Sequence, residues 1–362
     1  MVDAPELTSM TRHKRIRPLM VAWIFVFVML GTGFLWLSLS PDVVPDPDNA
    51  PGNDIDSVVA TQNITIAEPT AAPETTPVHD LIPHIDPVED TGISLVPAPI
   101  EGLTMKGANG PLPVLGPDSM VVWKEYARPY DRASGDLPKV AILVTGIGLN
   151  SKTSTLAIKR LPGQIDLGFS PYGRKLQKWM DESRKAGHEG FLMIPTEPLK
   201  YPENDPGPHV LLTGASVRDN LKKLDWLLSQ ISGYVGVIND MGSKFTASET
   251  DILPILKALN ERGLMFLDAR STRFSVAAKL ARRIAMPRAF NNLYIDNIIN
   301  STEITRNLAT LENTARTYGT ALGVARAFPL TITEIEKWAQ GLKDRGIELV
   351  PITAIANRQP IR

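Results

Sequence analysis

The chain has 362 residues, 43% of them hydrophobic, a formal net charge of -1 at neutral pH and no cysteine. That length and apolar share suffice for a sizeable core. The absence of cysteine excludes disulfides, a thiolate nucleophile and any thiolate-ligated metal, so packing alone must supply stability.

Charge is unevenly distributed along the chain. Residues 1–18 form a basic amino terminus carrying Arg12, Lys14, Arg15 and Arg17. Residues 19–40, LMVAWIFVFVMLGTGFLWLSLS, hold no charge and match the ~20 residues a helix needs to span a bilayer. Basic residues before this run and acids after it predict an uncleaved, single-pass inner-membrane anchor. The amino terminus is then cytoplasmic and the remainder periplasmic. Residues 41–117 hold 14 of the 30 prolines and no apolar period, which predicts a disordered periplasmic linker. Residues 118–362 form the expected folded domain.

From Lys139 onward, short apolar runs alternate with helical periods. Candidate strands are 139–145, 165–170, 190–194, 234–238, 264–268, 292–296, 320–325 and 347–351. One intervening helix places Val217, Leu221, Leu224, Leu227, Leu228 and Ile231 on one face and stops at Gly233. A second follows Ser301 and ends before Gly319. A third starts at Thr331, with Glu334 completing a capping box, and runs to about Gly346. Strand and helix repeating every ~30 residues predict an α/β fold whose parallel sheet is closed as a barrel or doubly wound.

In such folds chemistry sits at the carboxyl ends of the strands. Those exits read Thr145-Gly146-Ile147-Gly148, Pro195-Thr196-Glu197, Asn239-Asp240-Met241-Gly242-Ser243-Lys244, Asp268-Ala269-Arg270 and Ala325-Arg326. Glu197, Asp240 and Asp268 therefore share one rim with Arg270 and Arg326. Asp268 and Arg270, two residues apart, are positioned for a bidentate pair. Taken singly, each acid also reads as a helix cap or structural ion pair. The loop EPLKYPENDPGPH (197–209) brings Tyr201, Asp205 and His209 toward the same mouth. The candidate substrate contacts are Tyr201, Asp205, His209, Asn239, Lys244 and Arg326. Gly146-Ile147-Gly148 lacks the third glycine of a dinucleotide fingerprint, and nothing in the chain suggests nucleic acid.

The strings PTEPLKYPENDPGPHVLLTG, GYVGVINDMGSKFTAS, GLMFLDARSTRFSVAAKLA and YIDN, in this order, resemble the divergent polysaccharide deacetylases over about residues 95–355. The resemblance implies a distorted seven-stranded β/α barrel that removes acetyl groups from polysaccharide with a divalent metal. It also implies an aspartate pair after the first strand, two histidine ligands and a late histidine acid. Thr145 and Gly146 stand where that pair is expected, Met193 and Asp240 at two histidine positions, and Arg326 at the late one. Glu197, Asp268 and Arg270 match the family, and would be the catalytic residues of an active enzyme.

The five histidines point the same way. His13, His79 and His84 precede the domain, and His188 comes before a strand, at the end of the barrel opposite the mouth. Only His209 can reach the rim, too few imidazoles for zinc. Asp240, Glu197 and Asp268 would leave a carboxylate-only set suited to a hard cation. Three functions follow as expectations. The first is a cell-envelope glycan binder, for a polymer such as peptidoglycan, with catalysis lost or weakened and no cofactor. The second is an active deacetylase using those carboxylates and a divalent metal. The third is a scaffold for an envelope protein partner.

Overall fold

Residues 93–131 and 136–360 are described in a computed structural model of the chain. The predicted membrane span and most of the linker lie outside them. Among the described residues no helix is long and apolar enough to cross a membrane.

Order begins earlier than residue 118. A hairpin of β1 (Thr104–Lys106) and β2 (Pro111–Pro113) precedes the short helix α1 (Val122–Glu125). Leu95, Leu103 and Leu112 are buried, and the Ile100 amide donates to the Tyr126 hydroxyl at 2.9 Å. The high proline content conceals this segment, because proline tolerates extended edge backbone and a few apolar anchors pin it.

Downstream come β3 (Lys139–Ile147), α2 (Ser151–Arg160), β4 (Asp166–Phe169), α3 (Leu176–Lys185), β5 (Gly190–Thr196), α4 (Val217–Leu228), β6 (Gly236–Met241) and α5 (Glu249–Glu261). They are followed by β7 (Met265–Asp268), α6 (Ala277–Arg283), β8 (Arg288–Phe290), β9 (Leu293–Tyr294), α7 (Ser301–Tyr318), β10 (Thr320–Arg326), α8 (Pro329–Gln340) and β11 (Glu348–Leu349). The sheet is parallel and curled, in the order β8-β7-β6-β5-β4-β3-β10-β9. Strand β11 lies beside the start of β3. Strand β3 is apolar on both faces because helices cover the sheet. Ile142, Val144, Leu167, Phe191, Val237, Leu267 and Leu322 from successive strands join one core.

The path thus contains eight strands where seven were expected. The run near 292–296 is broken at Asn291-Asn292, and a separate strand, β8, precedes the break. The Asn291 amide donates to Asp268 O on β7, and the next amide, Asn292, donates to Leu322 O on β10, both at 2.8 Å. One stretch of chain therefore serves both ends of the sheet path. The edge of β8 that faces away from β7 is closed by the carboxy-terminal segment. Asn357 N donates to Arg288 O at 2.8 Å, and the Gln359 side chain takes both backbone groups of Phe290.

Helix α4 is capped by Ser216, whose hydroxyl accepts from Asp219 N, and buries Leu224, Leu227 and Leu228 as its period predicts. Val217 in its first turn is exposed, however, and the helix ends at Leu228, short of Ile231 and Gly233. Helix α7 is capped by Asn300 and ends at left-handed Gly319 (φ +78°). Helix α8 starts at Pro329, not Thr331, since proline fits the first helical turn. The Thr331 hydroxyl donates instead to Asp296 at 3.1 Å.

Candidate functional site

Parallel pairing sets the exits of β3, β5, β6, β7, β9 and β10 at one end of the sheet. Glu197 follows β5 and is 6% exposed. Its carboxylate accepts from Thr213 N at 2.6 Å, from the Thr213 hydroxyl, and from Lys244 Nζ at 2.7 Å. Burial alone would raise this acid, but the bonds from Lys244 and Thr213 outweigh it and hold Glu197 below the usual carboxylate range. Its main-chain carbonyl also accepts from Lys244 N and Phe245 N, which ties the β5 and β6 exits together.

Asp268, at the end of β7, is 1% exposed. It does not form the bidentate pair with Arg270. Its oxygens accept from Arg270 N at 2.8 Å, Ser275 Oγ at 2.8 Å and Ala278 N at 3.2 Å, so it holds the loop and the first turn of α6. Burial raises its carboxyl despite those bonds. Arg270 adopts left-handed backbone (φ +48°), which turns the side chain aside to lie 3.6 Å over the Phe290 ring. Asn239 is also committed to the backbone: its amide donates to Met241 O and accepts from Ala269 N.

Arg326, after β10, is half exposed and pairs with Asp296, a buried carboxylate at the exit of β9. Arg326 N donates to Asp296 Oδ2 at 3.0 Å, and Arg326 Nε lies 3.5 Å from Oδ1. Asp296 lies within the YIDN string, but its role is not readable there, because its partners Arg326 and Thr331 are 30 and 35 residues away.

The loop 197–209 folds back so that Leu211 bridges beside Thr196, on the edge of β5 that the short β4 leaves open. His209 stacks flat on Trp226, centroids 3.5 Å apart, with Tyr172 6.4 Å away. Its backbone amide donates to the Tyr172 hydroxyl at 3.1 Å, and burial lowers the imidazole pKa. Asp205 caps its own turn by accepting from Gly207 N. Tyr201 is half-buried in the same loop.

Asp240 differs from the other acids. It is half-buried, and among the described residues no cation lies within 4.0 Å of it. Burial raises its carboxyl against a backbone hydrogen bond at Met241. Burial also raises the Tyr172 and Tyr294 phenols, and the charge of Asp240 adds to both. Two tyrosines and an acid therefore share the mouth. Tyr172 escaped the sequence reading because it lies in the loop beyond β4, outside the exit motifs, and Tyr294 because it sits within β9, where strand residues read as core. Leu149, Leu199, Met241, Phe274, Ile298 and Ile299 are large apolar side chains exposed at or after the ends of β3, β5, β6, β7 and β9.

The metal implied by the family resemblance does not fit these residues. Gly146 offers no side chain, and a Cβ added there would meet nothing within 4 Å. Glu197 is neutralised by Lys244, Asp268 is spent on α6, and His209 is stacked on Trp226. His188 is fully buried at the far end, its ring nitrogens 2.7 and 3.2 Å from the carbonyls of Ile165 and Ile158. Among the described residues, no three His, Asp or Glu side chains gather as a metal site requires.

Comparison with known proteins agrees with this architecture. Residues 142–356 match the family described as divergent polysaccharide deacetylase. An uncharacterized protein of Haemophilus influenzae is 25% identical over 213 residues, 59% of this chain and 74% of that protein. The uncharacterized protein YibQ of Escherichia coli K12 is 20% identical over 224 residues, 62% of this chain and 69% of its own. The crystal structure of an uncharacterized protein from Agrobacterium tumefaciens C58 superposes with a TM-score of 0.66 at 39% identity, covering 68% of this chain and 99% of that one. With the family pattern spanning more than half of its length, the chain belongs to the divergent polysaccharide deacetylases.

Proposed function

We propose that this protein is a membrane-anchored, periplasmic glycan binder of the cell envelope that retains a deacetylase-like barrel without its metal chemistry. One observation carries the proposal. The acids best placed for a metal are already bound to protein groups, whereas Asp240, flanked by Tyr172 and Tyr294, stays open at the mouth. A carboxylate accepts from sugar hydroxyls and tyrosines offer faces for sugar rings, which is the chemistry of glycan recognition. The uncharged run at 19–40 supports the anchor, and the basic surplus of residues 101–362, 34 Lys and Arg against 26 Asp and Glu, suits anionic envelope polymers.

Titration calorimetry of the full chain with chitotetraose, alongside metal analysis and an acetate-release assay, tests this. Binding without stoichiometric metal or acetate is expected, weakened at least tenfold by Asp240→Asn. Stoichiometric zinc together with acetate release would overturn it.

A specific observation also favours a protein partner. Six exposed apolar side chains around one mouth, Leu199 at 71% and Phe274 at 64% exposed among them, form the kind of patch that marks contact surfaces. On this reading Leu199→Ser with Phe274→Ser abolishes cellular function and leaves chitotetraose affinity unchanged.

A further inference from the structure

Where β8 parts from β10, the wall of the sheet opens into a pocket of about 190 Å³, lined by Arg270, Phe290, Asn292, Tyr318, Thr320 and Gln359 among others. Among the described residues that line it, none is an aspartate or glutamate. Arg270 lies on Phe290, and among the described residues no carboxylate comes within 4.0 Å of its guanidinium. Its left-handed backbone is strained for a side chain other than glycine, costing about 1–2 kcal/mol, yet this conformation is what carries the guanidinium to the pocket.

Thr320 is a second, independent sign. It is 6% exposed at the start of β10, and its buried hydroxyl has no hydrogen-bond partner. A buried hydroxyl left unpaired costs about 1–3 kcal/mol, and because Thr320 lines the pocket, a rotation of its side chain would present the hydroxyl to a ligand and recover that cost. Asn292 adds a donor: its Oδ1 accepts from Leu322 N and Gln359 Nε2, and its amide nitrogen has no acceptor among the described residues.

We infer that this pocket binds a carboxylate borne on a sugar ring, with Arg270 gripping the carboxylate, Thr320 and Asn292 donating to the ligand's oxygens, and Phe290 and Tyr318 flanking its apolar face. A single cation balances one negative charge, which fits a carboxylate better than a phosphate monoester carrying nearly two. The inference deepens the glycan proposal and rests on it for the sugar.

The test is calorimetry on the full chain with galacturonate and with galactose, beside chitotetraose. Galacturonate is expected to bind at least tenfold more tightly than galactose. Arg270→Gln should remove that preference, and Thr320→Val should weaken galacturonate about fivefold, with thermal melts checking that each variant folds. If Arg270→Gln does not fold, Arg270→Lys, which keeps charge and loses the planar fork, should still weaken galacturonate severalfold. Equal binding of the two sugars, or wild-type affinity in both Arg270→Lys and Thr320→Val, overturns the pocket. No galacturonate binding with chitotetraose binding intact overturns the pocket and leaves the glycan proposal standing. Galacturonate binding without chitotetraose binding keeps the pocket's carboxylate specificity and overturns the chitotetraose mouth.

Discussion

The side-chain amide of Gln359 takes the place of a missing strand beside Phe290. Phe290 N donates to Gln359 Oε1 and Gln359 Nε2 donates to Phe290 O, each at 2.7 Å. Gln359 is 4% exposed, so Gln359→Ala would strand two buried backbone groups. A loss of about 2–4 kcal/mol is expected in denaturant unfolding. A change below about 0.5 kcal/mol would mean that the edge of β8 does not need this closure.

Asp166 and Glu189 sit at the starts of β4 and β5, both fully buried. Burial raises both carboxyls, Glu189 to about 7 and Asp166 well above its ordinary value. The folded state therefore keeps a proton that the unfolded chain releases near pH 4, and stability falls as pH rises from about 4 to 7. The loss is on the order of 3 kcal/mol. Glu189→Gln should flatten that slope in urea midpoints measured across the range, and an unchanged slope would rule the pair out as its source.

The ion pair between Glu197 and Lys244 acts in the opposite sense. Its depressed carboxyl stabilises the fold above the unfolded pKa of about 4.3, and that contribution disappears as pH falls through the folded value. Lys244 is 47% exposed, so solvent screening limits the gain to under about 1 kcal/mol. Lys244→Met should lower the stability read from urea midpoints at neutral pH by under about 1 kcal/mol, and the difference from wild type should vanish as pH falls below the folded value. A difference that persists in acid would sink the ion pair as its cause.

Asp240→Asn removes a half-buried charge that, among the described residues, no cation within 4.0 Å compensates. The unfolding midpoint at pH 7 should not fall, whereas removing a structural acid such as Asp268 by Asp268→Ala should cost about 2–4 kcal/mol by freeing its donors. Equal losses in the two variants would show that Asp240 is as structural as Asp268.

Chelation offers a further check. Dialysis against excess EDTA should leave the melting temperature of the full chain unchanged, because none of the rim acids depends on an ion for its hydrogen bonds. A drop of several degrees, restored by added metal, would contradict the donor geometry at Glu197 and Asp268.

The alternation of strands and helices was legible because a parallel sheet covered on both faces writes near-continuous apolar runs, as in KVAILVTGI. The exits were legible for the same reason, and placed Glu197, Asp240, Asp268 and Arg326 at one end. What each acid does there was not. Asp268 turned from Arg270 because the residue after Ala269 took left-handed backbone, a property no spacing rule predicts for arginine. Strand β8 went unseen because three residues leave too short a pattern to read. The Thr331 and Glu334 capping signature misplaced the start of α8, since Pro329 fits the first turn and the hydroxyl is used by Asp296.

Strand β3 takes β10 along one full edge, and the Thr145 hydroxyl reaches Ala325 O across a separation of 180 residues. As the chain emerges from its amino-terminal end, β3 is among the first strands available and its neighbour among the last. Until β10 arrives, an apolar ribbon with free hydrogen-bonding groups is exposed to every other chain nearby. Assembly should therefore be slow relative to helical proteins of this size, with the β3 edge open to mispairing until the last strands are delivered.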